Sequence, residues 1–247
     1  MPDRIAKSGI CSLLALQFLL PAVATLAEAD TEQAENAGAV LFQLDFGNDE
    51  GLSPRAWLER HGFELHRDAG KEGHIEVSHR DGLLHVVAKR PSFGLVARPL
   101  NAPQAGALRL HWGVSDYPEG ASYEHGVDNE AIMIYVFFGE EKLDSGEMLV
   151  PDSPYFVGFY LCPPDGDRLD TPFVGHHYKK TGRYECVDHP GEGRAVVSEI
   201  RLDVEFARSF GLDAMPPISG FSIEVDTTDS ANDGHAAAFL DRLEFVE

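Results

Sequence analysis

Alternation of apolar and polar residues is the feature that most restricts how this chain can fold. Apolar side chains two residues apart are typical of strands with one buried face, and they recur in the segments Val40 to Phe46, Leu108 to Val114, Ile200 to Phe206 and Phe221 to Val225. Two further runs, Ile132 to Phe138 and Phe156 to Leu161, are apolar at nearly every position. Such runs predict central strands that are covered on both faces.

Helical signals are few by comparison. Ser53 and Pro54 precede the segment Arg55 to His61, which Gly62 follows, so the sequence predicts one short capped helix. Residues 205 to 210 before Gly211 predict a single helical turn. With about ten short strands and little helix, we expect an all-β fold, an antiparallel, jelly-roll-like β-sandwich with one short N-terminal helix.

The first residues have the order of a secretory signal peptide. Arg4 and Lys7 precede an apolar run from Ile10 to Ala24, which is too short and too interrupted for a comfortable membrane span. Small residues suit cleavage after Ala24 or after Ala29, and an uncleaved anchor is the alternative. We expect a bacterial protein exported to the periplasm or the medium, with a signal peptide at 1–29, a polar tail at 30–38 and one domain at 39–247.

The formal net charge of -21 restricts the class of partner. Removal of residues 1–29 takes away two basic and two acidic residues, so the charge stays at -21. A surface this negative repels phosphate backbones and anionic headgroups. We therefore expect no nucleic-acid partner. The sequence has no second apolar stretch long enough to cross a bilayer, so we also expect no integral membrane protein after cleavage.

Two cysteines remain after the predicted cleavage, Cys162 and Cys186, because Cys11 lies in the signal peptide. A pair in an oxidising compartment predicts a disulfide. It would close a loop of 24 residues, worth roughly 3 kcal/mol in the chain-entropy model. The alternative is a metal site that includes nearby histidines, namely His176, His177 and His189.

Several local patterns resemble an exported bacterial family catalogued as a domain of unknown function, numbered three-zero-four-seven. They are Leu108 to Trp112, Gly126 to Ala131 leading into the apolar run, Arg201 to Gly211, and Val225 to Asp229. The family tends to carry paired aspartates where this chain has Asp128, Asn129 and Glu130. The resemblance implies a fold and no assigned activity.

The two ends of the domain also look like the terminal strands of jelly-roll carbohydrate-binding modules. The matching segments are Val40 to Phe46 with Asp45, a later Trp57, and Ala238 to Phe245. The resemblance implies that these strands lie together and that Asp241 helps to hold a structural calcium. The segment 226–234 is also dense in the oxygen ligands that calcium prefers, although an ordinary Asx-rich turn is the alternative. The candidate metal ligands are Asp45, Asp226, Asp229 and Asp241.

Candidate ligand-binding and catalytic residues lie in two other segments. His125, Asp128 and Glu130 precede the most apolar strand, where they would bind a sugar hydroxyl or a cation, or act as base and acid at a glycosidic bond. His177 and Tyr178 are residue types that serve as base and acid in polysaccharide β-elimination. Polar loops without such roles are the alternative for both segments.

Trp112 could stack on a sugar ring, since aromatic faces bury the apolar side of pyranoses. We therefore expect an exported protein that binds a glycan or a small extracellular ligand, with calcium as the one candidate cofactor. A polysaccharide-active enzyme, either a lyase or a glycoside hydrolase, is the first alternative. An envelope structural or interaction protein without enzymatic activity is the second.

Overall fold

The structure is a computed structural model that describes residues 38–47, 51–148, 150–230 and 233–247. The predicted signal peptide and residues 30–37 of the predicted tail lie outside this part of the chain. Residues Gly38–Glu247 form one compact unit. None of the helices in the described residues has the length and apolar character needed to cross a membrane.

Thirteen strands and two α-helices make up the part of the chain that the structure describes. The strands are β1 (Val40–Asp45), β2 (Glu64–Arg67), β3 (Ile75–Arg80), β4 (Leu83–Ala88), β5 (Phe93–Ala102), β6 (Ala107–Asp116), β7 (Glu130–Leu143), β8 (Ser153–Leu161), β9 (Phe173–Val174), β10 (Gly182–Asp188), β11 (Arg194–Arg201), β12 (Ile218–Asp226) and β13 (Ala236–Val246). The helices are α1 (Pro54–Arg60) and α2 (Leu202–Phe210), and a 3₁₀ turn covers Tyr123–His125.

The strands form two sheets, which confirms the predicted β-sandwich. The six-stranded sheet has the order β11-β6-β13-β4-β3, and β1 pairs with the second half of β13. The first and last strands therefore lie together, as the likeness to jelly-roll modules implies. The seven-stranded sheet has the order β2-β5-β12-β7-β8-β10-β9, and its strands are antiparallel except where β8 pairs with β10.

The core fills the space between the two sheets with the inward-facing residues of the alternating strands. Phe221, Ile223 and Val225 of β12 belong to it, and so do Leu110 and Trp112 of β6. The central positions of β7 and β8 in the seven-stranded sheet confirm the prediction from their apolar runs. Ser53 caps α1 by accepting a hydrogen bond from the Ala56 amide through its side chain, as its sequence predicts.

The prediction of a strand from Ile200 to Phe206 is wrong beyond Arg201. Strand β11 ends there and α2 begins at Leu202, three residues before the start of the single turn expected from the sequence. The buried side chains are Leu202, Phe206 and Ser209, whereas Val204 is exposed. The buried residues are thus spaced by four and then three positions, as on one face of a helix. The apolar residues at 202, 204 and 206 also match the alternation of a strand, and only the exposure of Val204 distinguishes the two.

The segment from residue 165 to residue 193 is less irregular than its weak periodicity indicates. It contains β9 and β10, and β10 lies in parallel beside β8. Glycine, arginine and glutamate interrupt the apolar pattern of β10, and for this reason the strand escapes a periodicity argument.

The disulfide between Cys162 and Cys186 is present, with a distance of 5.8 Å between the two Cα atoms. It links the end of β8 to β10 on the outer face of the seven-stranded sheet. Among the described residues, there is one group of three His, Cys, Asp or Glu side chains whose ligand atoms lie within 4.8 Å of one another. It consists of the two cysteine sulfurs and a ring nitrogen of His189. Because the sulfurs are bonded to each other, the disulfide prediction holds over the metal alternative.

We expect Phe206→Ala to lower the free energy of unfolding by about 3–5 kcal/mol, because this ring of α2 is fully buried against Phe138 of β7. Val204→Ala should change it by less than about 0.5 kcal/mol, since Val204 is exposed. Chemical denaturation of both variants makes the comparison. Equal losses would contradict the helix, because residues 204 and 206 share a face only in a strand.

Candidate functional site

The outer face of the seven-stranded sheet carries the candidate site. Antiparallel and parallel register places Tyr135 of β7 opposite Ser222 of β12 on one side and Gly158 of β8 on the other. Gly158 is in turn opposite Tyr184 of β10. Directly paired residues point to the same face, so Tyr135 and Tyr184 both stand on the outer side.

Loops rise around this face and leave a cleft of about 830 Å³. This volume lies within the range of about 300–1,000 Å³ that is usual for small-ligand sites. Its aromatic residues include Tyr123, Tyr135, Phe156, Tyr178 and Tyr184. Its carboxyl groups are those of Asp128, Glu224, Asp226 and Asp229. The cleft therefore combines stacking surfaces with a concentration of negative charge.

The aromatic floor depends on a glycine. The rings of Tyr135 and Tyr184 are nearly parallel, at 14° and 6.0 Å between centroids, and they meet over Gly158. A Cβ on Gly158 would lie 2.2 Å from the Met133 sulfur and 2.5 Å from a carbon of the Tyr135 ring. Only glycine at this position leaves room for the two rings to lie over the strand.

Glu224 is a carboxyl group held in the floor of the cleft. It belongs to β12, and its side chain turns away from the core residues Ile223 and Val225. Only 3% of it is exposed, and its Oε2 atom has no hydrogen-bond partner among the described residues. Burial raises the pKa of Glu224 well above its usual value, a hydrogen bond from Tyr135 opposes this, and the charge of Asp226 adds to it.

Glu130 lies beside Glu224 at the start of β7. Its Oε2 accepts a hydrogen bond from the Tyr123 hydroxyl, whereas its Oε1 has no partner among the described residues. Burial raises the pKa of Glu130 well above its usual value, and the charges of Glu224 and Asp226 raise it further. Two buried acids with raised pKa values favour the protonated form, in which a carboxyl group can donate a proton or a hydrogen bond.

Three further carboxyl groups, which are less deeply buried, stand above this pair. Burial raises the pKa of Asp226 to about 6, although the amide and hydroxyl of Thr228 donate to its Oδ1 atom. Burial also raises the pKa of Asp128. Asn129 accepts a hydrogen bond from the Asp229 amide, and this contact holds the segment after β12 against the segment before β7. The carboxyl groups are thus brought together by the register of β7 and β12.

Asp167 fixes the loop that carries Tyr123. Its carboxylate accepts hydrogen bonds from the Ser122 hydroxyl at 2.6 Å, the Tyr123 amide at 2.8 Å and the Tyr160 hydroxyl at 2.6 Å. These bonds and the Glu124 amide lower the pKa of Asp167, in spite of the opposing effect of burial. The carboxylate therefore stays ionised and ties one wall of the cleft to its floor.

The structure brings most of the predicted site residues to one place. Asp128, His177 and Tyr178 line the cleft, although they lie some fifty residues apart in the chain. Glu130 lies just below them, bonded to Tyr123. The two segments that the sequence analysis treats as separate candidates are therefore walls of the same cleft.

The prediction of Trp112 as a ligand-binding residue is wrong, whereas that of His125 stays a prediction. Trp112 is completely buried between the sheets, where its indole nitrogen donates to the Ser198 hydroxyl at 2.9 Å. Its position in β6 places it in the same alternating row as Leu110, so it belongs to the core. His125 is exposed on the 3₁₀ turn, contacts the Ser122 hydroxyl, and is not part of the cleft lining.

The four candidate calcium ligands lie in two places. Asp45 is on β1 and Asp241 on β13 of the six-stranded sheet, whereas Asp226 and Asp229 lie at the cleft. Within the described part of the chain, none of them belongs to a group of three His, Cys, Asp or Glu side chains whose ligand atoms lie within 4.8 Å of one another. Calcium binding stays a prediction.

Sequence reasoning missed Glu224, Tyr184 and Arg67, which all line the cleft. Glu224 follows the alternation of β12, and a polar residue at such a position indicates an outward-facing side chain. The pattern cannot indicate that loops cover this outer face. The pairing of β10 with β8, which places Tyr184 beside Tyr135, has no signal in the alternation of either strand.

No family model and no curated protein matches this chain, so the resemblance to the domain-of-unknown-function family rests on the quoted motifs alone. The chain is similar to the xyloglucanase domain of NopAA, a type three effector from Sinorhizobium fredii, with 12% identity over 76% of this chain and 95% of that one and a TM-score of 0.42. It is also similar to the family 29 carbohydrate-binding module CBM29_1 from Piromyces equi. The identity there is 10% over 75% and 81% of the two chains, with a TM-score of 0.34. Similarity at this level carries no argument about function.

The raised pKa values predict a stability that falls as the pH rises. In the native state Asp226 holds its proton up to a pH of about 6, whereas in the unfolded chain it loses the proton near pH 4. Deprotonation therefore favours unfolding, so the unfolding free energy should decrease as the pH rises through about 6. We expect this decrease to be smaller in the double variant Glu224→Gln, Asp226→Asn, as measured by denaturant titration at a series of pH values.

Asp213→Asn is the control, since this carboxyl group is exposed in the loop after α2. The control should have the same pH dependence as the unaltered chain. If the double variant and the control gave parallel curves, the buried acids would not be the source of the dependence.

Proposed function

We propose that this protein binds a glycan in the cleft on the outer face of the seven-stranded sheet. The observation that carries the proposal is the aromatic floor of Tyr135 and Tyr184, with the buried Glu224 carboxyl beside it. A pyranose has an apolar side that stacks on such rings. Its hydroxyl groups donate and accept hydrogen bonds, which the carboxyl groups of the cleft need for their free oxygens.

The charge of the cleft restricts which glycans fit. Asp128, Asp226 and Asp229 face it together with Glu224, whereas Arg67 is its one lysine or arginine side chain among the described residues. A saccharide with carboxylate or sulfate groups would meet like charge at short range, which is unfavourable. The proposal therefore concerns uncharged or positively charged saccharides.

Export to the periplasm or the medium is part of the proposal. The disulfide between Cys162 and Cys186 supports it, because such bonds persist outside the reducing cytoplasm. A polysaccharide ligand would also be met outside the cell. Cleavage after Ala24 or Ala29 would leave the domain and its cleft intact.

Isothermal titration with a panel of soluble neutral and amine-bearing oligosaccharides tests the binding. We expect at least one member to bind, and Tyr184→Ala to weaken that binding about tenfold or more, since aromatic residues dominate such contacts. Tyr184→Phe is the matched variant, because it keeps the ring and removes only the hydroxyl. It should keep most of the affinity.

Thermal unfolding of both variants shows whether the fold survives the substitution. Failure of the whole panel to bind the folded, unaltered protein would contradict the proposal. Equal affinity of Tyr184→Ala and the unaltered protein would move the binding site away from the cleft, and an envelope interaction protein would then be the better interpretation.

Glycoside hydrolysis is the second candidate function, and the geometry of β12 favours it. Glu224 and Asp226 are two residues apart on one face of the strand, about 6.5–7 Å apart at the backbone. A protonated and an ionised carboxyl on the same face are the pair of groups that hydrolysis of a glycosidic bond requires. New reducing ends during the titrations, lost in Glu224→Gln, would support this function.

A lyase is less favoured, although His177 and Tyr178 line the cleft. Polysaccharide β-elimination acts on uronic acids, whose carboxylates would be repelled by Asp128 and Asp226. Unsaturated ends in ultraviolet absorbance would reverse this order of preference.

A further inference from the structure

The carboxyl groups of the cleft are gathered at one end of it. Asp128, Glu224, Asp226 and Asp229, together named the acidic end here, come from the segment before β7 and from the end of β12. Their proximity shows in their titration, because the charges of Asp128 and Asp229 both contribute to the raised pKa of Asp226. Like charges at this distance destabilise one another.

The described residues provide little compensation for this charge. No lysine or arginine in the described ranges forms an ion pair with any of the four carboxyl groups. His176 and His177 act on Asp128, and Arg67 acts on the ring of Tyr178. Burial is the largest cause of the raised pKa values of Glu224 and Asp226.

A buried, unpartnered oxygen indicates that a polar partner is missing at the acidic end. The Glu224 side chain is 97% buried and lines the cleft, and its Oε2 has no hydrogen-bond partner among the described residues. Glu130 Oε1 likewise has no partner among the described residues, and the charge of Glu224 contributes to the raised pKa of Glu130. Buried polar atoms without partners are rare, because each costs about 1–3 kcal/mol.

Two kinds of positive group could meet this need, a metal ion or the ammonium group of an organic ligand. Calcium requires six to eight oxygens at about 2.3–2.6 Å from one point. Within the described chain, no three carboxylate or histidine groups at the acidic end have their ligand atoms within 4.8 Å of one another. An ammonium group makes fewer and longer contacts, and the neighbouring rings of Tyr135 and Tyr184 favour organic cations through their faces.

We infer that the acidic end binds the ammonium group of an amine-bearing saccharide, with the sugar ring on the aromatic floor. The inference rests on the proposed function and specifies its ligand class. The ammonium group donates to the carboxylates of Asp128 and Asp226 and reduces their mutual repulsion. A neutral sugar of the same shape would use the floor and leave this repulsion in place.

Three β-1,4-linked hexasaccharides that differ only at carbon 2 make the test. Hexamers of glucose, N-acetylglucosamine and glucosamine present a hydroxyl, an acetamide and an amine at this carbon. Titrations just above pH 6, where Asp226 is ionised and part of the amine still carries a proton, should show the glucosamine hexamer binding about tenfold tighter or more than the other two. This preference should shrink as salt is added.

Variants separate the acidic end from the general negative charge of the protein. The double variant Asp128→Asn, Asp226→Asn should lose most of the preference for the glucosamine hexamer. The control double variant Asp213→Asn, Glu199→Gln removes the same charge from exposed positions outside the cleft, and it should keep the preference. Equal loss in both double variants would mean non-specific attraction and would overturn the inference.

The remaining outcomes distinguish this inference from the proposed function. Equal or tighter binding of the glucose or N-acetylglucosamine hexamer would overturn the inference and support glycan binding in general. If none of the three hexamers nor any other glycan of the panel bound, both would fail. A rise in the melting temperature with calcium alone, abolished in Asp128→Asn, Asp226→Asn, would assign the acidic end to a metal and overturn the inference.

Discussion

Strand β12 is buried on both faces, although one face is apolar and the other carries polar side chains. The rest of the site depends on how the fold covers the polar face. Its inward residues, Phe221, Ile223 and Val225, join the core between the sheets. Its outward residues, Ser222 and Glu224, are also almost completely buried, on the face where Met133, Tyr135 and Phe156 form a second hydrophobic cluster. Loops and tyrosine rings complete the cover. A carboxyl group enclosed in this way is held without a countercharge, so its protonation state depends on what enters the cleft.

The cover is held by a small number of strong contacts. Asp167 stays ionised because it accepts hydrogen bonds from Ser122, Tyr123 and Tyr160, and these bonds join the wall of the cleft to β8. His189 contacts the Asp167 carbonyl at 2.6 Å, beside the disulfide that links β8 to β10. The disulfide thus supports the strand that carries Tyr184, in addition to restricting the unfolded chain. A rigid wall of this kind reduces the conformational entropy that the site loses when a ligand binds.

The sequence predicts the sandwich well because alternation depends only on which face is covered, as in β6 and β12. It fails at Leu202 to Phe206, where apolar spacing of two residues coincides with a helical spacing of four, and at β10, whose polar residues hide a strand. The prediction of Trp112 as a ligand residue rests on its aromatic side chain alone, yet its place in an alternating row of apolar residues puts it in the core. Glu224 could not be identified because the cover over its face comes from segments distant in the chain.

The central claim is that ligand binds in the cleft over Tyr135 and Tyr184. The most direct measurement is the mapping of backbone amide NMR shifts when the tightest-binding oligosaccharide of the panel is added. The largest changes are expected at Gly158, Tyr184 and Asp226, which lie on three strands of the same sheet. Tyr184 and Asp226 line the cleft, and Gly158 is paired with both Tyr135 and Tyr184 beneath its floor. Changes confined to β3, β4 or β11 of the six-stranded sheet, with those three amides unmoved, would contradict the claim.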